Sequence, residues 1–295
     1  MLSPQGLRQR SDLFQAVRDF FRSRSYIEVD TPIRQPVILP EAEIVPVSSG
    51  NWFLQTSPEL YMKRLLADGN SRVFQICHCF RQGERGRLHL EEFSMLEWYH
   101  TGWSYLELMA ECEELICAVM ERQSCVRCEK DISLVRPWIR LSVEEAFQQF
   151  CGLSASLAVE QGLFDELLVE KIEPELGWKR PVFLYDYPVA LASLAREKPD
   201  APDLAERFEL YIGGVEIANG FSELTDPDVQ RQRFTEELVK INETNRLQEM
   251  PEIFLKALRD VPDCAGIALG LDRLLMICTG ADSIVDVVPF VENNL

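Results

Sequence analysis

The chain has few cations for its size. Its 295 residues include 30 Lys and Arg against 48 Asp and Glu, which gives a formal net charge of −18. Nucleic-acid backbones are held mainly by clustered positive charge. The composition therefore argues against broad nucleic-acid binding, and a large RNA such as tRNA is disfavoured as a partner.

Long apolar runs are also missing. No run of 18 apolar residues occurs, and the N-terminal segment turns polar too early for the apolar core of a signal peptide. The nine cysteines have no secretory context, so we interpret them as reduced thiols. These absences predict a soluble cytoplasmic protein without a membrane partner.

A structural zinc site is not indicated. Cysteines cluster at Cys77-His78-Cys79 and at Cys125 and Cys128, but neither cluster has the second ligand pair that tetrahedral zinc needs. The first cluster alternates in a strand-like run and the second follows a predicted helix end. We therefore interpret both as structural.

The sequence pattern is a mixed series of helices and strands. Apolar residues recur at helical spacing over 11–24, and strand-like runs at 71–80 and 93–99 flank a charged loop, which predicts an antiparallel hairpin. Capping boxes at Ser104 and Ser142 begin further helices, the first of which is predicted to run to about residue 122.

Later segments continue the mixture. Asp226-Pro227 is predicted to cap a helix that reaches about Asn245, and a strand is predicted to turn into a helix at Gly270 to Leu271. There is no internal repeat and no βαβ alternation. We therefore expect an α+β fold, an antiparallel sheet flanked by helices.

Cations concentrate in the hairpin loop, FRQGERGRLHLEEF at 80–93. Arg81 at the strand end, and Arg85, Arg87 and His89 in the loop, offer donors that could clamp a polyphosphate. An exposed, self-neutralising loop is the other interpretation of this stretch.

Two further features offer matching chemistry. Arg273 follows the predicted strand-to-helix turn, where it could reach another phosphate or form a buried salt bridge. Glu209 and Glu216 lie on successive strands around Gly213-Gly214. A tight turn there would join two hard oxygen ligands for Mg²⁺, unless both are simply exposed.

A second acidic group lies in apolar surroundings. Its members are Glu59, Glu97, Tyr99 and Glu223. Glu97 and Tyr99 share one face of a strand by the period of two. Buried carboxylates are costly unless paired, which points to a cationic ligand or to internal pairing. The possible internal partners are Lys63, Arg64 and Arg72.

Five ordered stretches carry a family resemblance over roughly residues 8 to 290. They are TSPELYMKRL, RVFQICHCFR, FSMLEWY, RFELYIGGVEIANGFSELTD and GIALGLDRLLM. Together they resemble the catalytic domain of class II lysyl-tRNA synthetases. The resemblance is closest to one branch, the ligases that attach (R)-β-lysine to a protein lysine of elongation factor P.

The resemblance implies the class II aminoacyl-tRNA synthetase catalytic fold. Only about ten residues precede the first helix, too few for an OB barrel, so we expect a single catalytic domain over 1–295 without an anticodon-binding domain. Motif 1 builds a dimer interface in this family. The Phe20-Phe21 helix with Pro32 fits that role as well as it fits a core, and we expect a homodimer.

The resemblance also implies ATP and Mg²⁺ as cofactors. Arg81 would hold the α-phosphate, Arg273 would face the terminal phosphates, and Phe93 would stack on adenine. Glu209 and Glu216 would hold the metal. The ATP-binding set is Arg81, Gln82, Gly83, Glu84, His89, Leu90, Phe93, Glu209, Leu210, Gly270 and Arg273. The residues expected to carry catalysis are Arg81, Arg273 and Glu216.

For the amino acid, the resemblance implies that Glu59 takes the backbone-side ammonium. The ε-ammonium would go to Glu97, Tyr99 and Glu223. The substrate-binding set is Ser57, Pro58, Glu59, Glu97, Tyr99, Glu216, Asn219, Glu223 and Ala268. Ser57 and Ala268 stand where lysyl-tRNA synthetases usually have Ala and Gly, and both look like the β-lysine branch.

Two departures concern the nucleotide. Motif 2 is expected to read Phe-Arg-x-Glu, but Gly83 takes the place of the glutamate and Glu84 follows it as the candidate replacement. The family's His-Asn-Pro-Glu-Phe is here His89-Leu90-Glu91-Glu92-Phe93. Leu90 can therefore offer only a backbone contact.

The resemblance implies a two-step ligase that forms an aminoacyl-adenylate and passes it to elongation factor P. One alternative is a truncated ligase that uses α-lysine or another amino acid with a small-molecule, carrier or tRNA acceptor. Another is a catalytically silent paralogue that binds and regulates a partner.

Overall fold

A mixed nine-stranded sheet forms the centre of the computed structural model, which describes residues 1–122, 132–246 and 248–291. The strands of this sheet are β1 (Ile27–Glu28), β5 (Arg72–Phe80), β6 (Glu92–Thr101), β7 (Ile139–Ser142), β8 (Val182–Pro188), β9 (Glu197–Lys198), β10 (Ala201–Ile212), β11 (Val215–Ser222) and β12 (Cys264–Gly270). A smaller sheet contains β2 (Arg34–Gln35), β3 (Ser48–Ser49) and β4 (Trp52–Leu54).

The strand order in the large sheet is β1-β5-β6-β12-β11-β10-β8-β7, and β9 pairs with β10. The six strands from β5 to β8 in this order pair antiparallel, whereas β1 and β7 join the two edges in parallel. The expected α+β fold is confirmed. The two parallel edges add to the antiparallel sheet that the sequence predicted.

Helices cover this sheet and connect its strands. They are α1 (Pro4–Ser23), α2 (Glu59–Ala67), α3 (Tyr105–Arg122), α4 (Val143–Cys151), α5 (Ala155–Glu160), α6 (Phe164–Leu167), α7 (Pro227–Glu243), α8 (Glu252–Leu258) and α9 (Leu271–Thr279). Shorter helical turns lie at Leu168–Ile172, Glu173–Glu175, Val189–Leu191 and Ile284–Asp286. No helix in the described ranges is long and apolar enough to cross a membrane.

Local signals account for several element boundaries. The Ser142 hydroxyl accepts from the Glu145 N–H while the Glu145 carboxylate accepts from the Ser142 N–H, a complete capping box that starts α4. At the start of α7 the Asp226 carboxylate accepts from the Asp228 and Val229 N–H groups, an N-cap without the reciprocal bond. The predicted hairpin, the Ser104 helix and the strand-to-helix turn at Gly270 are confirmed. Cys125 and Cys128, which we interpreted as structural and not as zinc ligands, lie outside the described residues.

The largest apolar core lies between one sheet face and the helices α1, α3 and α9. Phe21 stacks on Phe74 with ring centroids 4.7 Å apart and contacts Trp98 at 5.2 Å. Phe20 and Phe21 are both buried within the single chain. These two rings therefore pack in the core, one of the two roles considered for them.

Candidate active site

A cavity of about 700 Å³ lies on the opposite face of the sheet, over strands β6, β12, β11 and β10. Fifteen of the predicted site residues line it, namely Ser57, Glu59, Arg81, Glu84, His89, Leu90, Phe93, Glu97, Tyr99, Glu209, Glu216, Asn219, Ala268, Gly270 and Arg273. The predicted residues outside this lining are Gln82, Gly83, Pro58, Leu210 and Glu223. Residues far apart in the sequence thus meet in one site.

Strand β6 shows how the sheet divides its side chains between core and cavity. Its register with β5 is continuous, so side chains alternate between the two faces. Glu97 and Tyr99 line the cavity, whereas Leu96 and Trp98 are buried in the main core. Alternate residues of FSMLEWY therefore serve different faces of one strand.

Arg273 joins three parts of the chain at one end of the cavity. Its Nη1 donates to the Glu216 carbonyl at 2.9 Å and to the Glu216 carboxylate at 3.0 Å. Its Nη2 lies 2.6 Å from His89 Nε2, and its Nε donates to the Leu88 carbonyl at 3.2 Å. The guanidinium therefore connects the hairpin loop to β11 at this end.

The turn that carries Arg273 is fixed from beneath. Asp272 accepts from Arg10 Nη1 at 2.5 Å and from the Ser94 N–H at 2.7 Å. Arg10 also donates to the Ser94 hydroxyl at 2.6 Å. The start of α9 is thereby tied to α1 and β6, and no local sequence signal reveals this contact over 262 residues.

Arg81 lies at the same end and has a donor without a partner. Its guanidinium is 5.2 Å from the centre of the Phe93 ring and 3.7 Å from the Glu84 carboxylate. Its Nε is buried without an acceptor. A buried donor without a partner is costly, so an anion at this position would stabilise the side chain.

The other two loop arginines lie outside the cavity lining. Arg85 pairs with Glu91 at 3.1 Å, and Arg87 donates to the Asp282 carbonyl at 3.1 Å. The Gly83 N–H donates to Glu91 at 2.8 Å. Of the possible polyphosphate clamp, Arg81 and His89 line the cavity, whereas Arg85 and Arg87 stabilise the loop.

The two candidate metal carboxylates both line the cavity. Glu209 accepts from Arg207 and from the Tyr211 hydroxyl, each at 2.6 Å. Desolvation alone would raise the pKa of Glu216, but Arg273, with Arg81 and Arg207, holds that pKa below its ordinary value. Carboxylate oxygens are hard donors of the kind that Mg²⁺ binds. Within the described ranges, no group of three His, Cys, Asp or Glu has the arrangement of a metal site.

At the other end of the cavity, internal pairing accounts for two of the acidic residues. Lys63 Nζ lies 2.5 Å from Glu59 Oε1 and forms an ion pair with Glu223. The other candidate partners are engaged elsewhere. Arg64 packs over the Tyr61 ring, and Arg72 donates to a backbone carbonyl. Lys63 is therefore the internal partner of Glu59 and Glu223.

Glu97 remains without a cation. The Tyr99 hydroxyl donates to its Oε1 at 2.6 Å, while Oε2 is buried without a partner. Burial and the nearby Glu59 carboxylate raise the pKa of Glu97 well above its ordinary value. A cation arriving in the cavity would relieve this cost.

Gly266 gives Tyr99 and Glu223 the space they occupy. A Cβ at this position would lie 2.3 Å from both the Tyr99 ring and the Glu223 carboxylate. Neither side chain could keep its position beside such an atom. The glycine therefore permits the close packing of Tyr99 and Glu223 at the acidic end of the cavity.

Cys77, Cys79 and Met95 form a sulfur cluster that packs as a small buried core beside the site. Cys77 and Cys79 are buried with their Sγ atoms 3.8 Å apart, and Cys79 is 3.8 Å from the Met95 sulfur. His78 points to the other face, where it pairs with Glu92 at 3.0 Å. Cys77, His78 and Cys79 therefore do not converge on one point.

Arg207 and Glu41 are among the charged cavity residues that sequence reasoning did not assign. Arg207 lies two residues before Glu209 on the same strand face, and the period of two was a signal that could have found it. Glu41 lies on the loop after β2, and desolvation raises its pKa to about 7 against the opposing charge of Arg81. No local pattern marks Glu41.

A family model described as tRNA synthetases class II (D, K and N) matches residues 3–294. The chain belongs to this family. The sheet and its flanking helices are therefore a class II synthetase fold, as the sequence motifs predicted.

Curated relatives of this class II chain carry one common name. Elongation factor P–(R)-β-lysine ligase of Pectobacterium carotovorum is 36% identical, with 98% of this chain and 95% of the relative covered. The ligases of that name from Vibrio atlanticus and Edwardsiella ictaluri are 35% and 36% identical, each with 96% of this chain and 94% of the relative covered.

Proposed function

We propose that this protein is an ATP-dependent ligase that activates (R)-β-lysine as an adenylate and transfers it to a lysine ε-amine of elongation factor P. The observation that carries the proposal is one cavity with two chemically opposite ends. Arg81 and Arg273 supply cations at one end, while Glu59 and Glu97 supply carboxylates at the other. A diamino acid and a polyphosphate need these two environments side by side.

At the cationic end, Arg81 holds the α-phosphate and Arg273 faces the terminal phosphates, with His89 beside it. Phe93 stacks on adenine beneath Arg81. Glu209 and Glu216 hold Mg²⁺, which when bound neutralises phosphate charge. Both are hard oxygen donors that line the cavity, as that ion requires.

At the acidic end, Glu59 takes the backbone-side ammonium, and Glu97, Tyr99 and Glu223 receive the ε-ammonium. The unpartnered Oε2 of Glu97 supports this assignment, because it lacks the charge that an ammonium would bring. Ser57 and Ala268 shape the pocket around the substrate's backbone side.

The reaction follows from this placement. The substrate carboxylate attacks the α-phosphorus of ATP, the bond to the β-phosphate bridging oxygen breaks, and pyrophosphate leaves. The arginines offset the developing negative charge and hold the groups in line. The neutral acceptor amine then attacks the adenylate carbonyl, forming an amide and releasing AMP.

ATP–pyrophosphate exchange tests the first step. Purified protein should exchange label with (R)-β-lysine and much less with (S)-β-lysine, α-lysine or no amino acid. Exchange confined to α-lysine or another amino acid would favour the truncated-ligase alternative. ATP binding without exchange would favour the silent paralogue.

Mass spectrometry of elongation factor P tests the second step. The acceptor should gain one β-lysyl group at a single lysine, only when ATP and the amino acid are present. The matched control is an acceptor with that lysine replaced by arginine. A charged tRNA without modified acceptor protein would contradict the proposed acceptor.

The remaining parts of the proposal concern organisation: a single catalytic domain, a cytoplasmic location and a homodimer. Ile27 and Ile33 flank the segment that leads to Pro32, Trp52 lies on β4, and these large apolar side chains are about half exposed, at 54%, 46% and 42%. Such residues suit an interface between subunits. Sedimentation should give a dimer at micromolar concentration, and a monomer would contradict it.

A further inference from the structure

A β-bulge lies beside the two candidate metal carboxylates. In the pairing of β10 with β11, Leu210 lies opposite Ala218. The next residue, Tyr211, lies opposite Glu216, so β11 contains one extra residue at this point. Opposite residues of an antiparallel pair share a face, and so do residues two apart on one strand. The bulge therefore puts Glu209, Glu216 and Tyr211 on one face of the sheet.

Tyr211 reaches Glu209 from the protein side of the site. It is fully buried in the apolar cluster of the α4 to α6 segment and does not line the cavity. Its hydroxyl lies 2.6 Å from Glu209 Oε2 and 3.1 Å from Glu173 Oε1. A hydroxyl has one proton to donate, and the shorter distance assigns it to Glu209. Tyr211 therefore fixes the position of one oxygen of a cavity carboxylate.

Arg207 holds the other oxygen of Glu209. Its Nη2 donates to Glu209 Oε1 at 2.6 Å, and its Nη1 donates to the Leu191 carbonyl at 2.7 Å. Its Nε is buried without an acceptor. The Nε and Nη2 groups of a guanidinium form a fork that matches the two oxygens of a carboxylate. Arg207 therefore uses only one arm of a fork that Glu209 could fill.

The unpaired Nε identifies the arrangement that competes with the one observed. A buried donor without an acceptor is costly, so Arg207 would be stabilised if Glu209 turned its Oε2 onto this Nε. Tyr211 opposes the turn, because its hydroxyl holds the same oxygen. Two hydrogen bonds to one guanidinium would tie Glu209 to the protein as a closed ion pair.

In the observed arrangement Glu209 can still accept a metal ion. A carboxylate has about four acceptor positions, and Arg207 and Tyr211 use one on each oxygen. Glu209 lines the cavity, as does Glu216. Mg²⁺ in nucleotide sites is held by one or two carboxylates together with substrate phosphates. The two carboxylates fit this kind of site as long as Glu209 keeps a free acceptor position.

We propose that Tyr211 is a positioning residue that prevents Glu209 from closing onto Arg207 and so keeps this carboxylate open to the metal. The inference rests on the proposed function, which assigns Mg²⁺ to Glu209 and Glu216. Groups behind a metal ligand that fix its orientation contribute to metal affinity without contacting the metal, and their loss typically costs about 10- to 100-fold. Tyr211 acts in this way through the Glu209 carboxylate alone.

The metal-free crystal structure of Tyr211→Phe is the first test. Without the hydroxyl, Glu209 should turn so that its Oε2 comes within hydrogen-bond distance of Arg207 Nε, about 2.9 Å. An Oε2 that stays away from Nε would overturn the proposal. If the unpaired Glu173 carboxylate prevents folding, Tyr211→Phe combined with Glu173→Gln removes that charge and is examined in the same way.

Metal affinity is the second test. Mn²⁺ replaces Mg²⁺ as the probe, and its binding is followed by electron paramagnetic resonance with α,β-methylene ATP present and no amino acid. Tyr211→Phe should raise the Kd for Mn²⁺ by at least about tenfold. The matched control is Tyr105→Phe, which loses a similar buried hydrogen bond, to Asp186 at 2.7 Å, away from the cavity lining. The control should change the Kd by less than about twofold, and an equal Kd in the two variants would overturn the proposal.

A double variant separates positioning from general support of the fold. Arg207→Lys keeps the charge but lacks the fork, so Glu209 has no two-bond partner to close onto. In this background, Tyr211→Phe should raise the Mn²⁺ Kd by less than about threefold relative to Arg207→Lys alone. The same loss of affinity in both backgrounds would mean that Tyr211 acts independently of Arg207, and it would overturn the proposal.

Failure of the proposed function remains distinguishable. The unaltered protein is assayed first, and the absence of exchange with every lysine isomer, or of Mn²⁺ binding, counts against the proposed function alone. The metal-free structure of Tyr211→Phe needs neither substrate nor metal. The position of Glu209 Oε2 in that structure therefore supports or overturns the role of Tyr211 whatever the reaction is.

Discussion

The two ends of the cavity both contain ion pairs, but the pairs differ in their access to solvent. Arg273 and Glu216 have side chains that are 18% and 36% exposed, and Arg81 and Glu84 are also partly exposed. Lys63 and Glu223 are each 0% exposed. Pairs of the first kind can exchange partners with a ligand, whereas the second kind is a fixed part of the protein.

The difference indicates how one pocket can serve two substrates. At the phosphate end, Arg273 pairs with Glu216, which is itself a candidate metal ligand, so nucleotide and metal can replace this pair together. At the amino-acid end, the carboxylates outnumber the cations, and no cation pairs with Glu97. The four predictions below test this contrast.

Arg273→Ala should have the largest effect. It removes the guanidinium that contacts Glu216 and His89, and we expect amino-acid activation to fall by about 10²- to 10³-fold, as for loss of a preorganised charge. ATP–pyrophosphate exchange measures this fall in amino-acid activation. Arg87→Ala is the control, because Arg87 belongs to the same loop contacts but lies outside the cavity lining. Intact exchange in Arg273→Ala would remove Arg273 from the catalytic set.

Glu97→Gln should act at the other end. The amide keeps the shape and loses the charge, so the amino-acid KM should rise by about 100-fold, the size of one charge-assisted hydrogen bond. The KM for ATP is measured on the same preparation and should not change. A comparable rise in both constants would mean that the two ends are not independent.

The acidic end should also respond to pH. Burial raises the pKa of Glu97 well above its ordinary value and that of Glu223 to about 8, although Lys63 opposes the second shift and Glu59 adds to both. A carboxyl with a raised pKa must lose its proton before it can hold an ammonium. Amino-acid affinity should therefore rise between pH 6 and 8, by up to about tenfold per pH unit for each linked proton.

This profile is measured as the amino-acid KM at each pH, with the KM for ATP as the internal control. Tyr99 also has a raised pKa and stays protonated throughout this range. A flat or falling affinity would show that Glu97 and Glu223 are already ionised in the free protein.

Glu84→Gln should have the smallest effect. Glu84 is partly exposed and 3.7 Å from Arg81, and such pairs are weak, so the KM for ATP should change by less than about fivefold. Glu91→Gln is a useful comparison, because Glu91 holds the loop through Gly83 and Arg85. A much larger loss in Glu84→Gln would favour its recognition of adenine in place of the glutamate missing at position 83.

Much of the fold could be predicted because its signals are local. The hairpin, the capped helices and the turn at Gly270 each follow from periodicity or from capping residues close in sequence. The parallel pairing of β1 and β7 at the two edges has no such signal, since their partners are distant in the chain. The helical segment from α4 to α6 packs as a separate apolar cluster, which the sequence did not reveal.

The site residues could likewise be predicted only where a local sequence signal marks them. Motif residues such as Glu97 and Arg273 could be named because their strand and turn could be recognised. Lys63 was only one of three possible partners, because its choice depends on the tertiary fold that brings α2 beside Glu223. The contact of Arg10 with Asp272 depends on tertiary structure alone.

The alternation along β6 has a consequence for how this protein can change. Each substitution at Phe93, Met95, Glu97 or Tyr99 alters the pocket without entering the packing of Leu96 and Trp98 behind it. New substrate preferences are therefore open to point mutation. Insertion or deletion of one residue in this strand would exchange the two faces at once, placing tryptophan in the pocket and glutamate in the core. Strand β6 is thus far less tolerant of an inserted or deleted residue than of a substitution at any single position.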